Sequence, residues 1–209
     1  MQKTLFSKDV IYLGGAKMYK DCKNKVFLSG KISEPKWLFN DVYGATLEVK
    51  RFSGTSDYIP IQFNRELFPL IVGNNRFVKI KGFFKSFSKN SSLILYVWAK
   101  EIIPLSEELY ENKVELKGYL CRKSTLRQTP LTNRTIFDFF IATNHKDVSY
   151  YFPIISWNTL ATNISDLPLS THVFLTGRIQ SREYVKVYDD NTQETKTAYE
   201  VSTYYLELA

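Results

Sequence analysis

Basic and aromatic side chains alternate along parts of this sequence in a pattern suited to a negatively charged polymer. Lys79, Lys81, Phe83, Lys85 and Phe87 stand at every second position of one segment. Side chains at every second position of a β-strand point to the same face of the sheet. Because rings stack on unpaired bases and cations contact phosphates, such a face predicts sequence-tolerant binding of single-stranded nucleic acid.

A segment near the end of the chain repeats this chemistry with arginines. Arg178, Arg182 and Tyr184 stand at even positions and Val173 and Ile179 at odd positions, so a strand would expose the first set and bury the second. The same alternation, applied to the other predicted strands, gives the full set of expected nucleic-acid contacts. These are Lys31, Tyr58, Phe83, Lys85, Phe87, Trp98, Lys117, Phe140, Tyr151, Trp157, Arg178, Arg182, Tyr184 and Lys186.

Each aromatic residue in this set also has a purely structural interpretation. Tyr, Trp and Phe side chains fill barrel ends and protein interfaces as well as binding ligands. Trp157, which begins a predicted helix, fits a plug of the barrel end as well as it fits a stacking platform. Arg182, Tyr184 and Tyr151 are better supported as ligand contacts, because charge and ring recur together on adjacent predicted strands.

The net charge is +7 and the isoelectric point is about 9.2, which favours a polyanionic partner. Residues 1–105 contain 17 lysines and arginines against 8 acidic residues, a balance of +9. Residues 106–209 contain 11 against 13, a balance of −2. We therefore expect the first half to supply more of the electrostatic attraction.

The chain contains an internal repeat. Residues 24–30 and 112–118 both begin Asn-Lys-Val and end in glycine, with apolar residues at every second position. Further landmarks follow in the same order, 57–63 answering 150–156 and 76–82 answering 171–177. Matched landmarks in one order indicate a duplication.

Each repeat predicts three strands, a short helix and two more strands. The predicted strands are 25–33, 43–51, 57–63, 76–85 and 93–102, with a helix at 65–71, and then 113–122, 135–143, 149–156, 172–181 and 198–208, with a helix at 158–164. This order predicts an all-β fold of two tandem five-stranded Greek-key barrels of the OB-fold, each with a short helix between strands three and four. The recurring glycines at 30, 118, 82 and 177 fit the bends of small barrels.

The predicted division of the chain follows from the repeat. We expect an N-terminal arm at 1–21, a first barrel at 22–103, an acidic linker at 104–111 and a second barrel at 112–209. Polar stretches at 88–92, 124–134 and 189–197 are predicted loops that close over a bound strand.

Six segments of the second unit occur together over about ninety residues: 112–118 (NKVELKG), 126–130 (LRQTP), 137–142 (FDFFIA), 151–157 (YFPIISW), 177–184 (GRIQSREY) and 198–201 (AYEV). With this order and spacing, the unit resembles the bacterial single-stranded DNA-binding protein family, and the first unit is a diverged copy. The resemblance implies that Tyr151, Trp157 and Tyr184 stack on bases and that Arg178 and Arg182 contact backbone phosphates. Family members with two barrels per chain form dimers, so the resemblance also implies a homodimer.

The sequence departs from the family in two places. The family usually has another stacking aromatic just after the second strand, where this chain has 143–147 with His145 as its only ring. The family commonly ends in a flexible tail with an acidic tip that recruits replication and repair enzymes, whereas this sequence ends with a predicted strand. Replication or transfer proteins are candidate partners, but the sequence predicts no acidic tail to recruit them.

Other classes of protein find little support in the sequence. The two histidines, His145 and His172, share no carboxylate spacing, and no phosphate loop or nucleophile motif is present, so we predict no enzymatic activity and no cofactor. Cys22 and Cys121 form neither a disulfide framework nor a metal cluster. No apolar stretch is long enough for a membrane span and the N-terminus lacks a signal-peptide pattern, which predicts a cytoplasmic protein without membrane contact.

These observations predict sequence-independent binding and protection of single-stranded DNA in replication, recombination, repair or plasmid and phage transfer. The alternative is a primosome-like or conjugation accessory protein in which one barrel is a protein-interaction surface, which the low charge of the second unit permits. The barrel also supports binding of RNA or oligosaccharides.

Overall fold

The computed structural model describes residues 12–13, 16–17, 23–71, 76–90, 92–130, 132–145, 148–187 and 192–209. Strands make up most of these residues, so the predicted all-β class is confirmed. The predicted N-terminal arm lies outside the described residues, apart from the backbone of Tyr12–Leu13 (β1) and Ala16–Lys17 (β2), which pair with each other.

The first unit comprises β3 (Asn24–Ile32), β4 (Lys36–Phe39), β5 (Val42–Lys50), β6 (Ser56–Asn64), a 3-10 helix (Arg65–Leu70), β7 (Phe77–Lys89) and β8 (Ser92–Pro104). Its long strands pair in the circular order β3, β7, β8, β6, β5 and back to β3. Only β6 and β8 run parallel, and β4 adds an outer hairpin to β5. The unit is therefore a closed sheet.

The second unit comprises β9 (Glu111–Lys123), β10 (Arg127–Gln128), β11 (Thr135–His145), β12 (Val148–Trp157), α1 (Asn158–Ser165), β13 (His172–Val187) and β14 (Gln193–Leu208). The strands pair in the same circular order, β9, β13, β14, β12, β11 and back to β9. The parallel pair is again the third and fifth long strand, β12 with β14. Both units thus have one topology, as their sequence repeat predicts.

The predicted strands are present, but several continue further than the sequence suggested. β7 extends to Lys89 and β13 to Val187, so the β7–β8 and β13–β14 hairpins are longer than predicted. The predicted loop at 189–197 is wrong for its second part, because β14 already begins at Gln193 and pairs with β13 across Val187. The predicted loop at 124–134 likewise contains the short strand β10. Cross-strand side-chain pairs stabilise the β7–β8 and β13–β14 hairpins. Their tips contain many polar residues, so apolar alternation does not reveal these parts of the strands.

Apolar residues at alternate positions fill one core that runs through both units. Val26, Leu28 and Ile80 of the first unit and Leu116 and Ile141 of the second are fully buried members of it. Phe84 of β7 and Phe152 of β12 stack with their centroids 4.8 Å apart, although they belong to different units. The two closed sheets therefore share a packed boundary.

The repeated glycines lie where two strands cross so closely that a side chain has no room. A Cβ atom on Gly82 would overlap the carbonyl oxygen of Trp98, and one on Gly30 would overlap that of Glu48. The register of β7 and β8 shifts between Lys81 and Gly82, which is the bulge that bends the strand. These glycines permit the close crossings of strands within the closed sheet.

Replacement of Gly82 by alanine is expected to lower the free energy of unfolding by about 2–3 kcal/mol, because backbone atoms must move apart. Chemical denaturation of the variant measures this change. Gly54→Ala is the control: its Cβ would meet nothing within 4 Å, and its φ of +87° alone accounts for about 1 kcal/mol. An equal loss in both variants would contradict the crossing argument.

The two units are joined strand to strand. β3 pairs antiparallel with β9 so that Val26 faces Val114, its own equivalent in the repeat, while Asn24 faces Leu116 and Leu28 faces Asn112. This register is that of a twofold axis passing between the two valines. The chain is thus arranged as an internal pseudo-dimer.

Side-chain amides extend this arrangement beyond the last paired residues. Asn24 donates to the carbonyl of Phe84 at 2.7 Å and accepts the N–H of Phe84 at 2.9 Å. Asn112 makes the same two bonds with Ile179, at 2.7 and 2.9 Å. Each asparagine acts as a substitute backbone partner, which explains why the residue stands first in both repeats.

Candidate nucleic-acid interface

A groove of about 650 Å³ opens beside the junction of the two units and is rich in arginine. We call it the arginine groove. Its cations come from Arg178 and Arg182 of β13, Arg134 before β11, and Arg51, which follows β5 of the first unit. Its remaining lining is Trp157, Leu160, Gln180, Ser181, Ser202, Thr203 and Tyr204.

Arg51 is held in the arginine groove by a buried carboxylate. Its Nε donates to Oδ2 of Asp57 at 2.8 Å, and its Nη2 donates to the other oxygen of that carboxylate. The Asp57 side chain is completely buried, and its Oδ1 also accepts the backbone N–H of Ser181 from the second unit at 2.8 Å. Asp57 therefore fixes one cation of the groove and ties the two units together.

Electrostatic crowding marks the arginine groove as a site for an anion. Burial lowers the pKa of Arg178, and repulsion from Arg51 lowers it further, while hydrogen bonding to Asp57 raises the pKa of Arg51. Guanidinium groups stay charged throughout the physiological range despite such shifts. A phosphate placed between them would relieve the repulsion between Arg51 and Arg178.

Trp157 combines a structural and an exposed role in this groove. Its Nε1 donates to Oγ of Ser202 at 3.1 Å, which fixes the indole at the start of α1. The ring is half-buried and still lines the groove. Both interpretations of Trp157 offered by the sequence are therefore compatible with its position.

A second groove, of about 570 Å³, also contains residues of both units. We call it the aromatic groove, because Phe83 and Trp98 of the first unit meet His145 and Tyr150 of the second. Phe83 and His145 lie with centroids 6.1 Å apart, and Nζ of Lys85 lies 4.5 Å above the Trp98 ring. Lys23, Lys25, Asn24, Thr143 and Asn144 complete the lining.

Lysines contact both rings that the first unit contributes to the aromatic groove. Nζ of Lys100 lies 5.0 Å from the centroid of Phe83, a second cation–π contact. Burial lowers the pKa of Lys85. A cation held over a ring and partly dehydrated is available to a phosphate whose base stacks beside it.

The predicted contact residues fall into three groups in the structure. Trp157, Arg178 and Arg182 meet in the arginine groove, and Phe83, Lys85 and Trp98 meet in the aromatic groove. The others line neither groove and are Lys31, Tyr58, Phe87, Lys117, Phe140, Tyr151, Tyr184 and Lys186.

Several members of the third group stand close to the unit junction or on the hairpins. Tyr58 and Tyr151 are 52% and 38% exposed, and their backbone N–H groups donate across the junction to Ser181 and Ser86. Tyr184 is exposed on the β13–β14 hairpin, as is Lys186.

The rest of the third group lies on the strands of either unit. Phe87, on β7, is 45% exposed and meets the edge of Tyr96. Phe140 lies 5.5 Å beneath the guanidinium of Arg122. Lys31 is exposed, and Lys117 is half-buried with its backbone N–H bonded to the Lys23 carbonyl.

Three prominent residues of the arginine groove are absent from the predicted contacts: Arg51, Arg134 and Tyr204. Arg51 stands at the end of a predicted strand, and Arg134 stands in a predicted loop, so neither had a face assigned by alternation. Tyr204 is 63% exposed on β14. The sequence feature that these residues share is an arginine or tyrosine near the end of a predicted strand, which is too general to identify a contact.

The Cys121 thiol is half-buried in the second unit. Burial raises the pKa of the Cys121 thiol to about 11, and its sulfur lies 3.4 Å from the Phe140 carbonyl. Among the described residues, no three His, Cys, Asp or Glu side chains are grouped to hold a metal ion. No described helix is long and apolar enough to cross a membrane.

Comparisons with known proteins give a matching family and similar structures. Residues 111–208 match the family described as the Single-strand binding protein family. Among solved structures, the wild-type single-stranded DNA binding protein from Thermus aquaticus is similar at a TM-score of 0.72 and 19% identity, covering 91% of this chain and 94% of that chain. A deletion mutant of the single-stranded DNA binding protein from Thermus aquaticus gives 0.71 and 19%, covering 90% and 95%.

No curated protein sequence gives a significant match. At 19% identity the structural likeness establishes the fold, which is that of these OB-fold-like proteins over most of the chain. The family match is independent of it, because it rests on the sequence of the second unit. Residues 111–208, which form the second unit, thus match the single-strand binding protein family in sequence, and the chain has the fold of the two Thermus aquaticus structures.

Proposed function

We propose that this protein binds single-stranded DNA without sequence preference, through base stacking on aromatic side chains and phosphate contacts from lysine and arginine. The observation that carries the proposal is the arginine groove, where Arg51, Arg178 and Arg182 converge beside Trp157. Such crowding of cations favours a polyanion, and the adjacent indole gives an unpaired base a stacking surface.

The absence of a base code follows from the same chemistry. Every base has a π-face, so a ring accepts any of them, at about 1–3 kcal/mol per stacked base. Phosphate contacts fix the register of the strand and carry no sequence information. The similarity in fold to a single-stranded DNA binding protein from Thermus aquaticus supports the same ligand.

Further parts of the proposal concern architecture and setting. We infer that each closed sheet is one OB-fold barrel, with the 3-10 helix and α1 in the equivalent place between the third and fourth long strands. We assign the protein to processes that expose unpaired DNA, namely replication, recombination, repair or transfer. We also propose a homodimer of four barrels, whose mass gel filtration would show as twice that of the chain.

Titration with oligo-dT tests the proposed function. Tryptophan fluorescence is expected to fall on binding, because Trp157 and Trp98 line the two grooves. Equivalent oligo-U in competition measures the preference for DNA over RNA. If oligo-dT caused no quenching and formed no complex at low ionic strength, the proposal would be contradicted.

Affinity is expected to fall steeply with salt. If the four arginines of the arginine groove each neutralise a phosphate, the slope of log K against log salt is about −3, at about −0.7 per contact on a single strand. Filter binding between low and physiological salt measures this slope. A flat profile would exclude phosphate contacts as a main source of affinity.

A further inference from the structure

The two grooves are equivalent positions of the internal pseudo-dimer. Arg178 faces Ser202 just after the bulge at Gly177, and Phe83 faces Trp98 just after the bulge at Gly82. Phe83 therefore occupies in the first unit the position that Arg178 occupies in the second. The aromatic groove is the counterpart of the arginine groove across the twofold axis.

The residues that cross the junction obey the same equivalence. Pro60 and Pro153 are equivalent in the repeat, and they face Thr46 of β5 and Phe140 of β11. Thr46 therefore corresponds to Phe140. Counting five residues onward from each makes His145 the counterpart of Arg51. Each of these two residues lines a groove together with residues of the other unit. Equivalent positions of the two units thus line the two grooves, but the side chains at these positions differ.

The side chains that line the two grooves differ in chemistry. The arginine groove presents four guanidinium groups and one indole, whereas the aromatic groove presents Phe83, Trp98, His145 and Tyr150 with lysines around them. Guanidinium groups grip phosphates by forked hydrogen bonds, and rings hold bases by stacking. One groove favours the backbone of the strand, and its counterpart favours the bases.

A twofold axis has a consequence for the direction of a bound strand. With identical grooves, rotation about the axis exchanges the grooves and reverses a strand that occupies both, so the two directions would be equally stable. Different grooves remove this equality, because the 5′ part and the 3′ part of the strand then meet different side chains. The free energies of the two directions must differ.

We propose that this protein binds a single strand across both grooves in one preferred direction, with one end always at the arginine groove. The inference rests on the proposed function, because it concerns how the same ligand lies on the protein. We expect one direction to be favoured about tenfold, which is the order of magnitude that one stacked base is worth.

Energy transfer from a dye on the protein to labelled oligo-dT tests the direction. In the full chain carrying Cys22→Ser, one dye is attached at Ser53→Cys, in the exposed turn beside Arg51, and in a second sample at Val148→Cys, which pairs with His145. Cys121 reacts slowly because its pKa is about 11. The oligonucleotide has about 30 nucleotides, enough for two barrels, and carries an acceptor at its 5′ or its 3′ end.

The expected result is unequal transfer from the two ends, in opposite order for the two dye positions. Equal transfer from both ends at saturation, at both dye positions, overturns the preferred direction while leaving DNA binding intact. Failure of any oligonucleotide to bind overturns the proposed function together with this inference. The two failures are therefore distinguishable.

A variant that makes the grooves alike tests the cause. Phe83→Arg with His145→Arg places in the aromatic groove the side chains found at the equivalent positions of the arginine groove. Transfer from the two ends is expected to converge in this variant, with circular dichroism confirming the fold. An unchanged inequality would show that the difference between the grooves does not set the direction and would overturn the account.

Discussion

Replacing Arg178 and Arg182 together by alanine is expected to weaken binding of oligo-dT by about 100-fold at physiological salt. Each charge-assisted hydrogen bond to a phosphate is worth about 1.5–3 kcal/mol, and 1.4 kcal/mol corresponds to a tenfold change in affinity. Both side chains line the arginine groove, and Arg178 is half-buried there. Fluorescence titration of the variant at several salt concentrations measures the loss and the flatter salt slope that accompanies it.

A matched control removes two guanidinium groups elsewhere. Arg65 and Arg76 are exposed in the first unit and line neither groove, and Arg76 pairs with the exposed Glu34. Arg65→Ala with Arg76→Ala lowers the net charge equally, so its effect on affinity reports general electrostatic attraction alone. If the control weakened binding as much as the groove variant, the arginine groove would not be the phosphate site.

Replacing Asp57 by alanine is expected to lower the free energy of unfolding by about 3 kcal/mol. The substitution leaves Arg51 without its buried partner and the N–H of Ser181 without an acceptor, at the boundary of the two units. Urea denaturation followed by circular dichroism measures the change.

Asp138→Ala is the matched control for this prediction. Asp138 binds Arg127 with the same two-pronged geometry, at 2.8 and 3.2 Å, but the two side chains are 36% and 53% exposed. An exposed pair of this kind contributes about 0–1 kcal/mol. Equal destabilisation by the two alanine variants would show that burial of Asp57 is not what makes its ion pair important.

The strands were predictable because their information is local. Alternation of apolar residues located every long strand of both units to within a few residues at most ends. The lengths of β13 and β14 were underestimated because polar residues occupy both faces at the tip of their hairpin. The glycines at 82 and 177 marked bulges, since a backbone crossing leaves a sequence signature. Short strands such as β10 leave none, because two residues carry no period.

The grooves were predictable only in part, because they form at the junction of the units. Alternation placed Arg178, Arg182, Phe83 and Trp98 on outward faces, which the structure assigns to two different grooves. Nothing local indicates that Arg51 of the first unit reaches the arginine groove of the second. That contact depends on the pairing of β3 with β9, which is a tertiary event.

The first residue of each repeat has a structural role that the sequence comparison did not identify. Asn24 and Asn112 were matched as landmarks of duplication, and the structure shows the reason for the match, a side-chain amide that extends the sheet at the same place in each unit. The twofold relation of the units then follows from the register at Val26 and Val114. Sequence comparison of the halves shows that they are copies, but only strand pairing shows how the copies face each other.

The central claim is that the grooves take unpaired nucleic acid. The most direct measurement compares the affinity of the full chain for oligo-dT and for a duplex of equal length at low ionic strength. A duplex keeps its bases stacked on each other, so they cannot stack on the rings of the protein. We therefore expect the affinity for the duplex to be at least about tenfold lower than for oligo-dT, which corresponds to the loss of one stacking contact. Equal affinity for both would contradict the account, because phosphate attraction alone would then explain binding.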